Sequence, residues 1–270
     1  MTKIALVAGE GALPVEIARR LSESGNAPLV LTLRGDSTAF EGLADPLVKL
    51  RGPALSRVLS EMKRHGAKAV MMAGRVPKKL IYFPALFDPM TLKLLASIDA
   101  RDDHSLLASI VNMFESLGFP VIPYRQILPE LLAPAGRIGC RSPSTAESRD
   151  VEKGMDVLRV TLPCSFGQAV VVADGSVVAV EAMEGTDAMI ERAGSLMAGA
   201  SGSKGTVVKM MRVDQDERYD LPTVGPHTIE TMARSGLTCL AVEAGRTILL
   251  DAAPAVSLAD ANGIAIWGIA

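Results

Sequence analysis

At 270 residues, with 49% hydrophobic residues, the chain is long enough for one large domain or two ordinary ones and can fill a sizeable core. A formal net charge of −2 without a basic stripe argues against a nucleic-acid partner. No apolar run reaches membrane-span length, and the chain opens on a strand pattern, KIALVAG, with no signal-peptide pattern, so a cytoplasmic protein is expected.

The run KIALVA at residues 3–8 predicts a buried strand. A glycine loop follows from Gly9 to Pro14, and VEIARRLSESG predicts a helix closing at Gly25. Strand, glycine loop and helix form the first unit of a nucleotide-type α/β fold. Further strands are predicted at 28–35, around 47–50, at 67–75 and at 119–123, with helices at 54–65, 88–98 and 105–117. That alternation predicts a parallel sheet covered on both faces. Prolines and glycines between 123 and 149 read as a linker or crossover. The predicted organisation is a Rossmann-like α/β domain over 1–132, a linker over 133–150 and an α+β domain over 151–270. In the second half, helices are predicted at 149–161, 186–197 and 255–262, and strands at 205–213 and in the closing GIAIWGIA. Asp174-Gly175 between two Val-rich runs predicts a hairpin over 168–185, and Ala244-Gly245 predicts a second over 237–251. A further helix starts at Pro226 and stops before Gly236. Two domains place a ligand by default in the cleft between them.

Three cysteines, Cys140, Cys164 and Cys239, lack CxxC spacing and read as isolated buried thiols. His65, His104 and His227 lack metal-ligand spacing and read as structural. Five stretches carry candidate chemistry. Gly9 and Gly11 have the GxG spacing that lets backbone approach phosphate, and Ala12 follows them in the same loop. Pro14 holds the third fingerprint position and Arg34 stands where a nicotinamide fold usually has an acid. A phosphate corner, a structural turn and a dinucleotide site are all readings of this loop. Gly74 and Arg75 close a predicted parallel strand at the edge where such sheets bind ligands, and Arg75, Lys78 and Lys79 suit a diphosphate or form a solvated basic loop. Asp102-Asp103 can hold hydrated Mg²⁺, act as a base, or start the next helix. Gly185, Thr186 and Asp187 open a helix as caps or as a phosphate site.

The fifth stretch is the acidic one, with Asp214, Asp216, Glu217 and Asp220 interleaved with Arg212 and Arg218. Lys209, Arg212 and Arg218 can neutralise phosphate charge, while Asp220, just before a fixed Leu-Pro turn, can activate a water or bind a metal. A solvated acidic turn is the plain alternative. LIYFPALF at 80–87 suits core, an apolar groove or a membrane surface.

The chain resembles the UDP-2,3-diacylglucosamine diphosphatase family of lipid A biosynthesis, in the form unrelated to calcineurin-like metallophosphoesterases. The resemblance runs over essentially the whole chain. It is carried by AGEGALPVEIA at 8–18, AGRV at 73–76, Asp102-Asp103 with the following LL, GQAVVVADGSVVAVEAMEGTDAMI at 167–190, QDERYDLPTVGPHTI at 215–229 and EAGRTILLD at 243–251. It departs at Glu10, where the family more often has a third glycine. The resemblance implies two domains with the active site between them. It also implies Mg²⁺-dependent hydrolysis of UDP-2,3-diacylglucosamine to UMP and 2,3-diacylglucosamine 1-phosphate. The aspartate of its RxDLP motif, Asp220 here, is then catalytic.

Substrate contacts are expected at Gly9, Gly11, Ala12, Gly74, Arg75, Gly185, Thr186, Asp187, Lys209 and Arg218. Mg²⁺ ligands are expected among Asp102, Asp103, Asp214, Asp216 and Asp220. The residues at 80–87 are expected to meet the acyl chains, with transient contact at the inner face of the inner membrane. A homodimer is the base-rate expectation. Two alternatives are a non-catalytic sugar-nucleotide or lipid-binding protein on the same fold, and an NAD(P)-dependent oxidoreductase, against which Pro14 and Arg34 count.

Overall fold

A computed structural model describes residues 2–33, 37–76, 87–97, 103–164, 167–199, 204–212 and 215–270, with the backbone alone at Asp103 and His104. The chain divides into two compact units. The first comprises Met1–Pro129 together with Asp216–Asp220, and the second Glu130–Gln215 with Leu221–Ala270.

In the first unit, β1 (Ile4–Ala8), β2 (Leu29–Thr32), β3 (Leu47–Lys49) and β4 (Ala69–Ala73) form a parallel sheet in the order β3-β2-β1-β4. β2 and β4 are buried along their whole length, as strands in a sheet covered on both faces must be. The helices are α1 (Leu13–Glu23), α2 (Leu55–Arg64), α3 (Pro89–Ala96), α4 (Asp103–Ser116) and the single turn α5 (Tyr124–Ile127). α1 carries Pro14 in its first turn, turns Ile17, Ala18 and Leu21 inward, and is followed by Gly25 at φ +77°. α2 buries Leu55, Val58, Leu59 and Met62, and α3 is capped by Asp88, whose carboxylate accepts from the Thr91 N–H at 2.8 Å. Val58, Met62, Val111 and Phe114 pack with Ala5, Leu29, Leu31, Val70 and Met72 in one cluster. Tyr219, far along the chain, belongs to the same cluster.

The predicted strand at 119–123 reduces to one parallel bridge, Val70 to Val121. The Val70 N–H reaches the Pro120 carbonyl at 3.0 Å and the Ile122 N–H reaches the Val70 carbonyl at 2.9 Å. Pro120 and Pro123 have no N–H to extend the ladder.

The second unit contains β5 (Gly136–Ile138), α6 (Thr145–Thr161), β6 (Ala169–Ala173), β7 (Ser176–Val180), α7 (Thr186–Met197), β8 (Gly205–Lys209), β9 (Thr223–Val224), α8 (Pro226–Arg234), β10 (Leu237–Glu243), β11 (Ile248–Leu249), α9 (Ala252–Ala261) and β12 (Ala265–Ile269). Its main sheet runs β5-β12-β10-β8-β6-β7, parallel through β12, β10 and β8 and antiparallel at both sides. The predicted β6–β7 hairpin is present, with Asp174 at φ +50° and Gly175 at φ +75° supplying the left-handed pair a two-residue turn needs. The predicted hairpin over 237–251 is not. β10 has β8 on one edge and β12 on the other, so no edge remains for β11, which pairs in parallel with β9 instead.

The stretch 133–150, read as a linker, contains β5, antiparallel to β12, and the first turn of α6. α6 starts four residues before the predicted position because Ser144 and Glu147 close a reciprocal capping box. On α6, a Cβ at Gly154 would stand 2.5 Å from Val208 Cγ2, so glycine there lets the helix lie on the sheet. Cys239 is buried, whereas Cys140 and Cys164 are exposed, contrary to the expectation of three buried thiols, and all three are free. Among the described residues no helix is long and apolar enough to cross a membrane.

Candidate active site

The loops leaving β1 and β4 are bound to each other. Glu10 and Arg75 exchange both backbone hydrogen bonds at 2.8 Å, and the Gly9 N–H donates to the Ala73 carbonyl at 2.8 Å. A Cβ on Gly9 would lie 2.7 Å from the Arg75 carbonyl oxygen. Gly74, at φ +87°, would place one 2.7 Å from Pro14 Cγ and 2.8 Å from the Glu10 carbonyl oxygen. Both glycines are therefore required by this backbone contact. Gly11 differs: it has φ +109°, no atom within 4 Å of a hypothetical Cβ, and an exposed position beside exposed Ala12 at the start of α1. Of the GxG pair, Gly11 is the one with open space in front of it.

Asp216–Asp220 folds as a tight turn in the first unit. The Asp220 N–H donates to the Asp216 carbonyl at 3.1 Å, and the Arg218 N–H donates to Asp216 Oδ1 at 2.9 Å. Arg218 is gripped by two acids, Asp216 at 2.5 Å and Glu115 of α4 at 2.5 Å. The hydrogen bonds that Arg218 donates to Asp216 are the main reason its guanidinium is held well above its ordinary pKa, with Glu115 adding to this and partial burial opposing it. Glu217 pairs with Arg125 of α5 at 2.5 Å. The Tyr124 hydroxyl lies 2.6 Å from the Met72 carbonyl and 2.9 Å from the Tyr219 carbonyl. Burial pushes the Tyr124 phenol far above its usual pKa, and the nearby negative charge of Asp220 pushes it further. These ties hold Asp220 in place.

A cavity of about 460 Å³ opens in the first unit. Its walls are mainly apolar, including Val58, Met72, Leu94, Leu107, Ile110 and Phe114, and its lining also includes Gly9, Gly74, Arg75 and Asp220. One carboxylate, one guanidinium-bearing residue and two loop glycines thus share a cavity built from side chains of α2, α3 and α4. Phe87 lines it as well; the rest of the apolar stretch 80–87 lies outside the described residues.

The second unit gathers another set. Lys209, at the end of β8 and only 8% exposed, donates to Thr186 Oγ1 at 3.0 Å and to the Thr223 carbonyl at 3.2 Å. The Thr186 hydroxyl donates to Glu181 Oε1 at 2.9 Å. Gly185 caps α7 at φ +86°, and Asp187 in the first turn faces His227 Nε2 of α8 at 3.5 Å. The adjacent placement of Thr186 and Lys209 is long-range, and Glu181 and Thr223 were not singled out in the sequence.

The expected Mg²⁺ ligands are divided. Asp102 and Asp214 lie outside the described residues, as does the side chain of Asp103. Both Asp216 oxygens accept from Arg218. Asp220 is the acid lining the cavity. Among the described residues no three acid, histidine or cysteine side chains come together as a metal site. Tyr124, Arg125 and Glu115 were not visible as site residues in the sequence, because nothing local announces a hydroxyl or an ion pair whose partner lies about a hundred residues away.

Two family models match the chain, the LpxI N-terminal domain over residues 3–131 and the LpxI C-terminal domain over residues 134–267. The chain is also similar to the UDP-2,3-diacylglucosamine pyrophosphatase LpxI of Caulobacter vibrioides, with 34% identity over 283 aligned positions covering 100% of this chain and 98% of that protein.

Proposed function

The chain belongs to the LpxI family, and on that premise we propose that it hydrolyses the diphosphate bond of UDP-2,3-diacylglucosamine in lipid A biosynthesis. The products are UMP and 2,3-diacylglucosamine 1-phosphate. The observation that supports this best is the lining of one apolar cavity by Asp220, Arg75 and the paired glycine loops. A water molecule attacks one phosphorus of the diphosphate, the bridging P–O bond breaks, and the bridging oxygen leaves with the other phosphate. Asp220 accepts the proton of the attacking water, a role usually worth about 10²–10⁴-fold in rate. Arg75 offsets the charge that spreads over the diphosphate oxygens. The apolar wall of the cavity takes an acyl chain, and Phe87 is the member of the 80–87 stretch that lines it.

In the second unit, Gly185, Thr186 and Lys209 set a buried ammonium beside a helix start, a combination suited to an anionic group. Mg²⁺ is part of the proposal as the Lewis acid such a diphosphate needs. The described residues assemble no ligand set for it, and Asp220 is kept for the proton. Access to a diacylated substrate fits transient contact with a membrane surface.

The test is direct. Purified protein is incubated with UDP-2,3-diacylglucosamine, with Mg²⁺ or with EDTA, and UMP is measured. UMP released in Mg²⁺ and abolished by EDTA is expected. Intact substrate bound without turnover would replace the hydrolase by a binding protein, and equal UMP release in EDTA would remove the metal from the proposal.

A further inference from the structure

The segment carrying Asp220 belongs by sequence to the second half of the chain, yet it is built into the first unit. α5, the single turn Tyr124–Ile127, supplies two of the groups that hold it there. The reason lies in how the edge of the first sheet ends. Along the free edge of β4 the chain at 119–123 makes two ladder hydrogen bonds at Val70, then reaches Pro123, which has no N–H. The next outward carbonyl on that edge is that of Met72. The Tyr124 side chain turns back and puts its hydroxyl there at 2.6 Å, where a backbone donor would otherwise stand. The same hydroxyl lies 2.9 Å from the Tyr219 carbonyl, the group directly preceding Asp220. One buried phenol thus shares its single proton between two carbonyl acceptors, one at the end of a sheet strand and one on the peptide that carries the acid. Tyr124 is 2% exposed, so water does not compete for either contact. The following residue, Arg125, holds Glu217 at 2.5 Å from the surface side.

We propose that Tyr124, backed by Arg125, is the positioning residue for Asp220, fixing its carboxylate relative to Arg75 and the glycine loops. This rests on the reading of Asp220 as the general base. It does not require Tyr124 to touch the substrate or to ionise. A displaced base loses rate steeply while the walls that bind substrate stay intact, so the effect belongs in kcat rather than KM.

The experiment compares wild type, Tyr124→Phe, Arg125→Gln, the double variant and Asp220→Asn, all as full-length chains, by steady-state UMP release in Mg²⁺. Thermal unfolding is followed by circular dichroism in parallel. Tyr124→Phe is expected to lower kcat at least 10-fold with KM within about 2-fold of wild type, in a protein that remains folded well above the assay temperature. Arg125→Gln, which breaks only a half-exposed pair, is expected to lower kcat about 2- to 3-fold. The double variant is expected to lower kcat further than Tyr124→Phe does. A folded Tyr124→Phe protein with wild-type kcat, or one changed only in KM, overturns the proposal. If Tyr124→Phe is unfolded at the assay temperature, Arg125→Gln decides: an unchanged kcat overturns the proposal, and a reduced kcat at unchanged KM supports it. Asp220→Asn separates the two levels. If it keeps full activity, the general-base reading itself fails. If it is inactive while Tyr124→Phe is fully active, only the positioning role fails.

Discussion

Gly74 lies against Gly9, and a Cβ on Gly74 would stand 2.9 Å from the Gly9 carbonyl carbon. The contact joins the loops that leave β1 and β4, and through them Arg75 reaches the same cavity as Asp220. Gly74→Ala combines a left-handed φ of +87° with close approach to Pro14 and to the Glu10 carbonyl. We expect it to cost about 2–4 kcal/mol, as strain and overpacking add. Gly25→Ala, at φ +77° but with open space around the position, is expected to cost only about 1–2 kcal/mol. Urea unfolding of the two variants checks the order.

Asp220→Asn keeps the size and shape of the side chain but removes the proposed base. A fall in kcat of about 10²- to 10⁴-fold with little change in thermal unfolding is expected. Single-turnover UMP release separates this from slow product release.

The apolar wall of the cavity predicts a dependence on acyl chain length. Leu107→Trp places a larger ring into the cavity lined by Leu107, Ile110 and Phe114. KM for the long-chain substrate is expected to rise at least 10-fold, while an analogue with shortened acyl chains is affected about 2-fold or less. Equal effects on both substrates would place the acyl chains elsewhere.

Glu147 predicts the pH dependence of stability. Burial pushes its carboxyl up, but hydrogen bonds from Arg141, Thr238 and Ser144 outweigh this and hold it at about 2, against 4.5 for the free group. Because the folded value is the lower one, the stabilisation is fully present above pH 4.5 and is lost as pH falls towards 2. Glu147→Gln is expected to lose about 2–3 kcal/mol at neutral pH. Its deficit relative to wild type should shrink steadily between pH 4.5 and 2, as measured by urea unfolding at each pH.

Elements set by neighbouring residues were legible in the sequence. The Asp174-Gly175 turn, the Pro226 start and Gly236 stop of α8, and the strand–loop–helix at 3–25 each depend on backbone preferences within a few residues. The resemblance at Arg218–Pro222 also singled out Asp220 before any contact was known. What failed was pairing between distant segments. The apolar run at 237–251 looks like a hairpin by itself, and only the occupation of both β10 edges by β8 and β12 sends β11 to β9.

The sequence by itself determined the α/β character of the first half and the family. Tertiary structure alone decided that Asp216–Asp220 folds with the first unit, that Arg218 is already bound by Asp216 and Glu115, and that Tyr124 ties Met72 to Tyr219. The physical reason is range. Turn and helix signals are written in residues that touch along the chain, whereas a buried hydroxyl or an ion pair depends on which distant groups the folded core brings within 3 Å.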